Sequence, residues 1–404
     1  MSIELYDFQK KAVEALLKPE THFVISGTGS GKTAMMFDYL RRKDPKKVLI
    51  VCTPSKRDSG EFLDDADKFA GKGWKERRTV EIISWHKLYD WVFYEHSKEM
   101  EEWAVAFDEV QCAAAGISSK MGKAFLVLTE HCKDWTAYTA TPGDVWIKFY
   151  PYFTACGLVK NKTHFVNQFC FMQTYPFPAI KGYRQEDKLL EMWRSVSHTP
   201  DTSEVFAQLP EKTCQVVKFK KPKGYDKCLK NSETLEGEFL DSNMALAHYM
   251  RQMCATKKKQ DWLGEWLDGT DENAVIFYNY VKEREDIIEV CNKKHRKVWR
   301  IDGEKHEIPT ADTIGKGDIV VAHYQSGSAS LNLQFMRYWI SYSYNYSYTT
   351  FLQAIGRIDR IGQTRPMVFW FLKCTGTIED DVAKALKNKQ DFSEKVWIED
   401  KKGG

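Results

Sequence analysis

Short apolar runs recur along the chain, separated by stretches long enough for a helix. Residues 23–25, 48–52, 80–86, 103–107 and 135–138 form one series. Most are continuous runs, not alternations, which predicts strands buried on both faces of a parallel sheet. Ahead of them, Phe8, Ala12, Val13, Leu16 and Leu17 fall on one face of a predicted helix. A second series occupies residues 274–278, 298–301, 319–322, 338–342 and 367–372. Strands alternating with helices in both halves predict an α/β protein with two doubly wound parallel-sheet domains. The first spans 1–205, with a helical and aromatic extension from about residue 146, and the second spans 206–404. The junction is placed near Leu209-Pro210-Glu211-Lys212-Thr213. Ligands of such sheets collect at the C-terminal ends of the strands.

The loop after the first strand reads Ser26-Gly27-Thr28-Gly29-Ser30-Gly31-Lys32-Thr33 and opens a helix. Strand, glycine-rich loop and helix is the context of a phosphate-binding P-loop. Glycines let backbone N–H groups wrap phosphate oxygens, and the helix N-terminus adds partial positive charge. Lys32 is placed to reach the β- and γ-phosphates, and the Thr33 hydroxyl to bind Mg²⁺. Ser26 stands where the strict pattern has glycine.

The other strand tips carry matching chemistry. Residues 48–52 end in Thr53-Pro54-Ser55-Lys56, where small hydroxyls suit a phosphate contact and a simple turn fits equally well. Residues 103–107 run into Asp108-Glu109-Val110-Gln111. Downstream of a P-loop, Asp108 suits the Mg²⁺ shell, and Glu109 can take a proton from the attacking water. Residues 135–138 end in Thr139-Ala140-Thr141-Pro142. Gln9 could pair with an adenine edge by donating and accepting at once; a solvent-facing amide is the competing reading.

The second half has no P-loop of its own. Lys257-Lys258-Lys259 could touch phosphates, but a solvated helix face is the commoner outcome. Tyr342, Tyr344, Tyr346 and Tyr348 alternate, favouring strand packing over base stacking. Arg357 and Arg360, three apart in Gln353–Gln363, would share a face on a helix. Such a guanidinium pair can neutralise transition-state charge on a nucleotide held elsewhere, or pair with acids such as Asp359.

Composition adds only bounds. The 404 residues suffice for two or three domains, and the net charge of +3 neither demands nor excludes nucleic acid. Ten cysteines lack any C-x-x-C pair, which reads as reduced thiols in a cytosol-like compartment. There is no apolar signal core near the start and no apolar run of about 18 residues, so no membrane span is expected.

Together these motifs resemble the superfamily-two helicase-like motors, and among them the Swi/Snf-type DNA translocases. The most specific parts are Gln353–Gln363 followed by Thr364-Arg365-Pro366, the Leu209 to Thr213 stretch, Leu331-Asn332-Leu333 and Thr377-Ile378-Glu379. The resemblance implies two RecA-like domains with the nucleotide site in the cleft between them, and ATP and Mg²⁺ as cofactors. Gln9 would read adenine. Gly27, Thr28, Gly29, Ser30, Gly31, Lys32, Thr33, Asp108 and Gln353 would hold the nucleotide, with Thr33 and Asp108 on the metal. Lys32, Glu109, Arg357 and Arg360 would be catalytic, and Thr139 and Thr141 would couple hydrolysis to movement. Thr53, Lys56, Ser84, Gly327 and Asn332 fall in segments that in relatives line the DNA track or link it to the nucleotide.

The implied function is an ATP-driven motor on double-stranded or branched DNA. It would remodel DNA or protein–DNA complexes alongside replication, recombination or repair proteins, in the cytoplasm of a bacterium or phage-infected cell. A strand-separating DNA or RNA helicase is the alternative, and an inactive nucleic-acid clamp is a further one. The chain departs from the family pattern at Asp-Glu-Val-Gln, usually Asp-Glu-Ala-His. It departs again at Tyr346-Ser347-Tyr348, where Trp-Asn-Pro is common. Only Gly327 remains of the usual glycines before Leu331.

Overall fold

Residues 4–58, 60–143, 145–173, 179–327 and 331–388 are described by the structure, a computed structural model. The chain divides into two compact units, Met1–Val205 and Phe206–Gly404. Residues 328–330, beside Gly327, lie outside the described residues.

In the first unit, β1 is Phe23–Ile25, β2 Lys47–Cys52, β3 Thr79–Ser84, β4 Trp103–Asp108 and β5 Asp134–Thr139. A hairpin of β6 (Cys170–Gln173) and β7 (Ala179–Tyr183) follows, then the two-residue β8, Ser197–His198. The main sheet has the order β3-β2-β4-β5-β1-β8, with every pairing parallel. Its central strands β2 and β4 are mainly apolar and buried because both faces are covered. Leu49, Val51, Val105, Phe107 and Ala137 pack into one core cluster. Their chain neighbours Val48, Ile50, Ala104, Ala106 and Tyr138 pack into another on the opposite face. The period-two geometry of a strand sorts one continuous apolar run into two cores.

In the second unit, β9 is Lys212–Phe219, β10 Ala274–Tyr278, β11 Val298–Ile301, β12 Ile319–His323, β13 Tyr338–Ser341 and β14 Met367–Cys374. The order is β11-β12-β10-β13-β14-β9, again all parallel. The edge strand β9 pairs with β14 over eight residues, from Lys212↔Met367 to Phe219↔Cys374. Residues 212–216 are exposed, so an apolar pattern gives no sign of this strand. The fold class is therefore two doubly wound parallel-sheet α/β units.

Two local expectations are revised. Lys259, read as part of a solvated or phosphate-binding cluster, lies fully buried in the helix Lys257–Asp268. Its Nζ donates to Glu379 Oε1 at 2.8 Å and to the Tyr342 carbonyl at 2.9 Å. Burial alone would lower the ammonium's pKa, but the Glu379 carboxylate raises it further, so the net direction is upward. The tyrosine run is not a strand either: β13 stops at Ser341, and Tyr342 and Tyr344 are buried in the loop beyond it.

Lys259→Met is expected to strand the Glu379 charge in the core and to cost about 3–5 kcal/mol. The melting transition of the second unit should fall by roughly 10 °C. The double variant Lys259→Met/Glu379→Leu should recover part of that loss. Calorimetry on the three chains checks the pair, and equal melting of the single variant and wild type would contradict it. Among the described residues, no helix is long and apolar enough to cross a membrane.

Candidate active site

The order β2-β4-β5-β1 places four functional loops side by side at the C-terminal edge of the first sheet. β1 leads into the loop 26–31 and then helix α2, Lys32–Lys43. Gly29 and Gly31 sit at φ 75° and 80°, the left-handed region that favours glycine. Gly31 is also tight: a Cβ there would lie 2.4 Å from Gln9 Nε2. Lys32 Nζ folds back onto the Ser26 carbonyl at 3.0 Å and the Gly27 carbonyl at 3.1 Å. Ser30 Oγ donates to the Gly27 carbonyl at 2.8 Å and closes the loop. Ser26 Oγ is buried and has no hydrogen-bond partner among the described residues.

Gln9 lies in helix α1, Asp7–Leu16, and is buried. Its Nε2 donates to the Ser30 carbonyl at 2.8 Å, and its Oε1 accepts from Tyr6 N at 3.0 Å. The side chain is thus neither solvent-facing nor idle: it braces the loop 26–31. One N–H and one lone pair remain uncommitted by these two bonds, enough for a bidentate contact with a base edge.

The acidic tip holds a cation. Asp108, only 2% exposed in its side chain, ends β4. Lys56, in the short helix α3 (Pro54–Asp58), places Nζ 2.9 Å from Asp108 Oδ2 and 3.1 Å from Thr33 Oγ1. An ammonium thus stands between the two side chains expected on Mg²⁺. The seat thus accepts a cation, and its donors are the hard oxygens Mg²⁺ prefers. Trp85 Nε1 donates to the Asp108 carbonyl at 2.8 Å and anchors the strand tip.

Glu109 takes the left-handed backbone at φ 54°, a strained conformation for a residue with a Cβ. Its Oε2 accepts from Gln111 Nε2 at 2.7 Å. Gln111 Oε1 in turn accepts from Thr139 Oγ1 at 2.6 Å, and Thr139 Oγ1 accepts from Thr141 N at 3.0 Å. A continuous relay therefore joins the carboxylate after β4 to the threonines after β5.

In the second unit, the helix Tyr348–Ile355 ends at Gly356, so Arg357 and Arg360 lie in the turns beyond it and not on one helical face. They still converge: both guanidiniums donate to the Leu331 carbonyl, at 3.4 Å and 3.3 Å. Arg357 Nε also donates to the Gln353 carbonyl at 3.0 Å, and Arg360 contacts Asn332 Oδ1. The structure thus gathers Gln353, Arg357, Arg360 and Asn332 around one turn.

Three residues expected on a DNA track sit differently. Lys56 is drawn into the cation seat by the buried Asp108. Ser84 is 3% exposed at the end of β3, too deep for a backbone phosphate. Gly327 is buried, and a Cβ there would come within 2.8 Å of Ala322 Cβ, so packing already requires glycine. Thr53 remains half-buried at the tip of β2, and Asn332 is exposed. Two contributors escaped sequence reasoning. Gln111 was visible only as a departure from the usual box, and Trp85 carried no signal, because its partner is a main-chain carbonyl 23 residues away.

Parts of this chain are similar to known proteins. Residues 258–362 match the helicase conserved C-terminal domain family. The chain is 26% identical over 129 residues to the mouse DNA repair and recombination protein RAD54B, covering 30% of this chain and 15% of that protein. It is 27% identical over 130 residues to the Drosophila melanogaster chromatin-remodeling ATPase INO80, covering 30% and 8%. It is 33% identical over 82 residues to the Bacillus subtilis uncharacterized ATP-dependent helicase YqhH, covering 20% and 14%. The aligned segments thus span between 8% and 15% of these relatives' lengths. Among solved structures, the Sulfolobus solfataricus SWI2/SNF2 ATPase core in complex with double-stranded DNA overlaps with a TM-score of 0.45 at 15% identity, covering 100% of this chain and 94% of that one. Residues 258–362 are thus similar to the helicase conserved C-terminal domain, and segments of about 80 to 130 residues are similar to these three relatives.

Proposed function

We propose that this protein is a Mg²⁺- and ATP-dependent motor that moves on double-stranded DNA and remodels DNA or protein–DNA complexes. The observation that carries the reading is the cation seat between Thr33 and Asp108, set beneath a P-loop and beside the Glu109–Gln111–Thr139 relay. Bound Mg²⁺ would neutralise charge on the β- and γ-phosphates and fix their orientation. Everything else falls to this chain's residues. Backbone N–H groups of residues 27–33 cradle the phosphates, and Lys32 leaves the Ser26 and Gly27 carbonyls for phosphate oxygens. Glu109 accepts the proton of the attacking water. Arg357 and Arg360 exchange the Leu331 carbonyl for the transferring phosphoryl group. Gln111 reports the state of Glu109 to Thr139 and Thr141.

Each cycle would shift the grip by one base pair, about 3.4 Å of axis. Grip through phosphates makes binding sequence-tolerant and salt-sensitive. The setting we propose is the cytoplasm of a bacterium or phage-infected cell, with replication, recombination or repair proteins as partners. ATP turnover titrated with duplex DNA tests the reading. Stimulation supports it, and turnover indifferent to every nucleic acid would remove it.

Gln111→Leu keeps the size of the side chain and breaks the relay at both ends. We expect it to lower DNA-stimulated turnover about tenfold, the loss of one hydrogen bond to a charged group. Basal turnover should fall less. The ratio of stimulated to basal rate is the measurement, and an unchanged ratio would remove Gln111 from the coupling path.

The β6–β7 hairpin favours a second reading, strand separation. Phe171 on β6 is 50% exposed, with the Arg184 guanidinium 4.6 Å from its ring centroid, a pair able to stack on an unpaired base. Unwinding of a forked duplex, run beside displacement of a triplex strand, separates the two: the motor reading expects triplex displacement without unwinding.

A further inference from the structure

Lys56 is seated too firmly to be a surface lysine awaiting DNA. Its side chain is 18% exposed, and its Nζ lies 4.4 Å from the Phe62 ring centroid, in addition to the bonds to Asp108 and Thr33. The pairing is a product of topology. Lys56 follows β2 and Asp108 ends β4, two strands that pair directly in the sheet.

We propose that Lys56 is the built-in occupant of the magnesium seat, a residue that makes the seat select Mg²⁺ carried by a triphosphate over free Mg²⁺. The proposal rests on reading the P-loop as an ATP site. The reason is charge competition. A bare divalent ion would have to break a buried ion pair, shed water it holds tightly, and gain only Thr33 and the acidic pair in return. Phosphate oxygens change that balance by adding ligands and negative charge at the same point. Lys32 then engages the phosphates, and Lys56 yields the seat to the metal. The side chain that guards the empty seat is therefore the one that must move when the correct ligand arrives, and it carries helix α3 with it or swings out from it.

The test reads binding and not turnover. Melting of the full chain is followed against Mg²⁺ alone and against Mg²⁺ with a non-hydrolysable ATP analogue, for wild type, Lys56→Met and Lys56→Arg. Wild type and Lys56→Arg should ignore Mg²⁺ alone. Lys56→Met should be stabilised by it, with an apparent affinity raised on the order of a hundredfold. Identical responses of wild type and Lys56→Met to Mg²⁺ alone overturn the proposal. If Lys56→Met does not fold, electron paramagnetic resonance of Mn²⁺ added to wild type decides. Binding that needs the analogue supports the proposal, and equally tight binding without it is the contrary result. Analogue binding that wild type shows and Lys32→Ala loses preserves the ATP-site reading even where the Lys56 proposal fails. If wild type binds no analogue, both fail.

Discussion

Lys32→Ala is expected to reduce ATP turnover about 10³-fold or more while leaving duplex DNA binding near the wild-type level. The side chain is unusually well placed for a test of this kind. Its Nζ bonds to the Ser26 and Gly27 carbonyls, at 3.0 Å and 3.1 Å. The loop keeps its shape through Ser30 Oγ on the Gly27 carbonyl and Gln9 Nε2 on the Ser30 carbonyl. What disappears is the ammonium that would meet phosphate oxygens as charge shifts in the transition state. Steady-state turnover and duplex binding, measured on the same preparation, separate the two effects. A variant that hydrolyses ATP at the wild-type rate would remove the P-loop from the chemistry.

The next largest effect is expected at Arg357 and Arg360. Replacing either with Ala should lower kcat by about 10³–10⁵, the range known for arginine fingers, with little change in nucleotide affinity. The KM-against-kcat split matters because both arginines also hold structure. They brace the Leu331 carbonyl, and Arg360 reaches Asn332. Lysine substitutions distinguish the roles. Lysine can still reach a carbonyl, but it lacks the planar fork that engages a phosphoryl group at two points. Lys variants that fold like wild type and remain slow would point to chemistry, and full activity in Arg357→Lys and Arg360→Lys would point to bracing alone.

Much of this was legible because the first sheet is buried on both faces. Continuous apolar runs such as 48–52 and 103–107 carry the strand signal without help from tertiary context. The strand, glycine-rich loop and helix over 23–43 were legible because an apolar run, clustered glycines and a helical stretch follow one another there. Where the reading strayed, the cause lies in contacts between distant segments. The edge strand β9 is exposed along most of its length, so no apolar run marked it. Lys259 read as a solvated lysine until Glu379, 120 residues away, supplied a buried carboxylate. The helix expected through Arg357 stops at Gly356, a residue poor at continuing helices, while the arginines still meet because Leu331 offers both of them one carbonyl. Lys56 is the clearest instance. Its sequence neighbours place it on a strand tip, but only the adjacency of β2 and β4 brings it to Asp108.

Gln111 stands where the pattern this chain resembles has histidine, and it still joins the tips of β4 and β5. Glutamine spans Glu109 and Thr139 with an amide N–H at one end and a carbonyl at the other. An uncharged amide makes this connection without titrating near neutral pH, unlike a histidine at the same position.

The central claim is that this site turns over ATP in response to duplex DNA. The most direct measurement is the ATPase rate of wild type and Lys32→Ala across duplex DNA, single-stranded DNA, forked DNA and duplex RNA at matched salt. The expected result is strongest stimulation by duplex DNA in wild type and none in the variant. Background turnover on every substrate, or equal rates for the two chains, would contradict it.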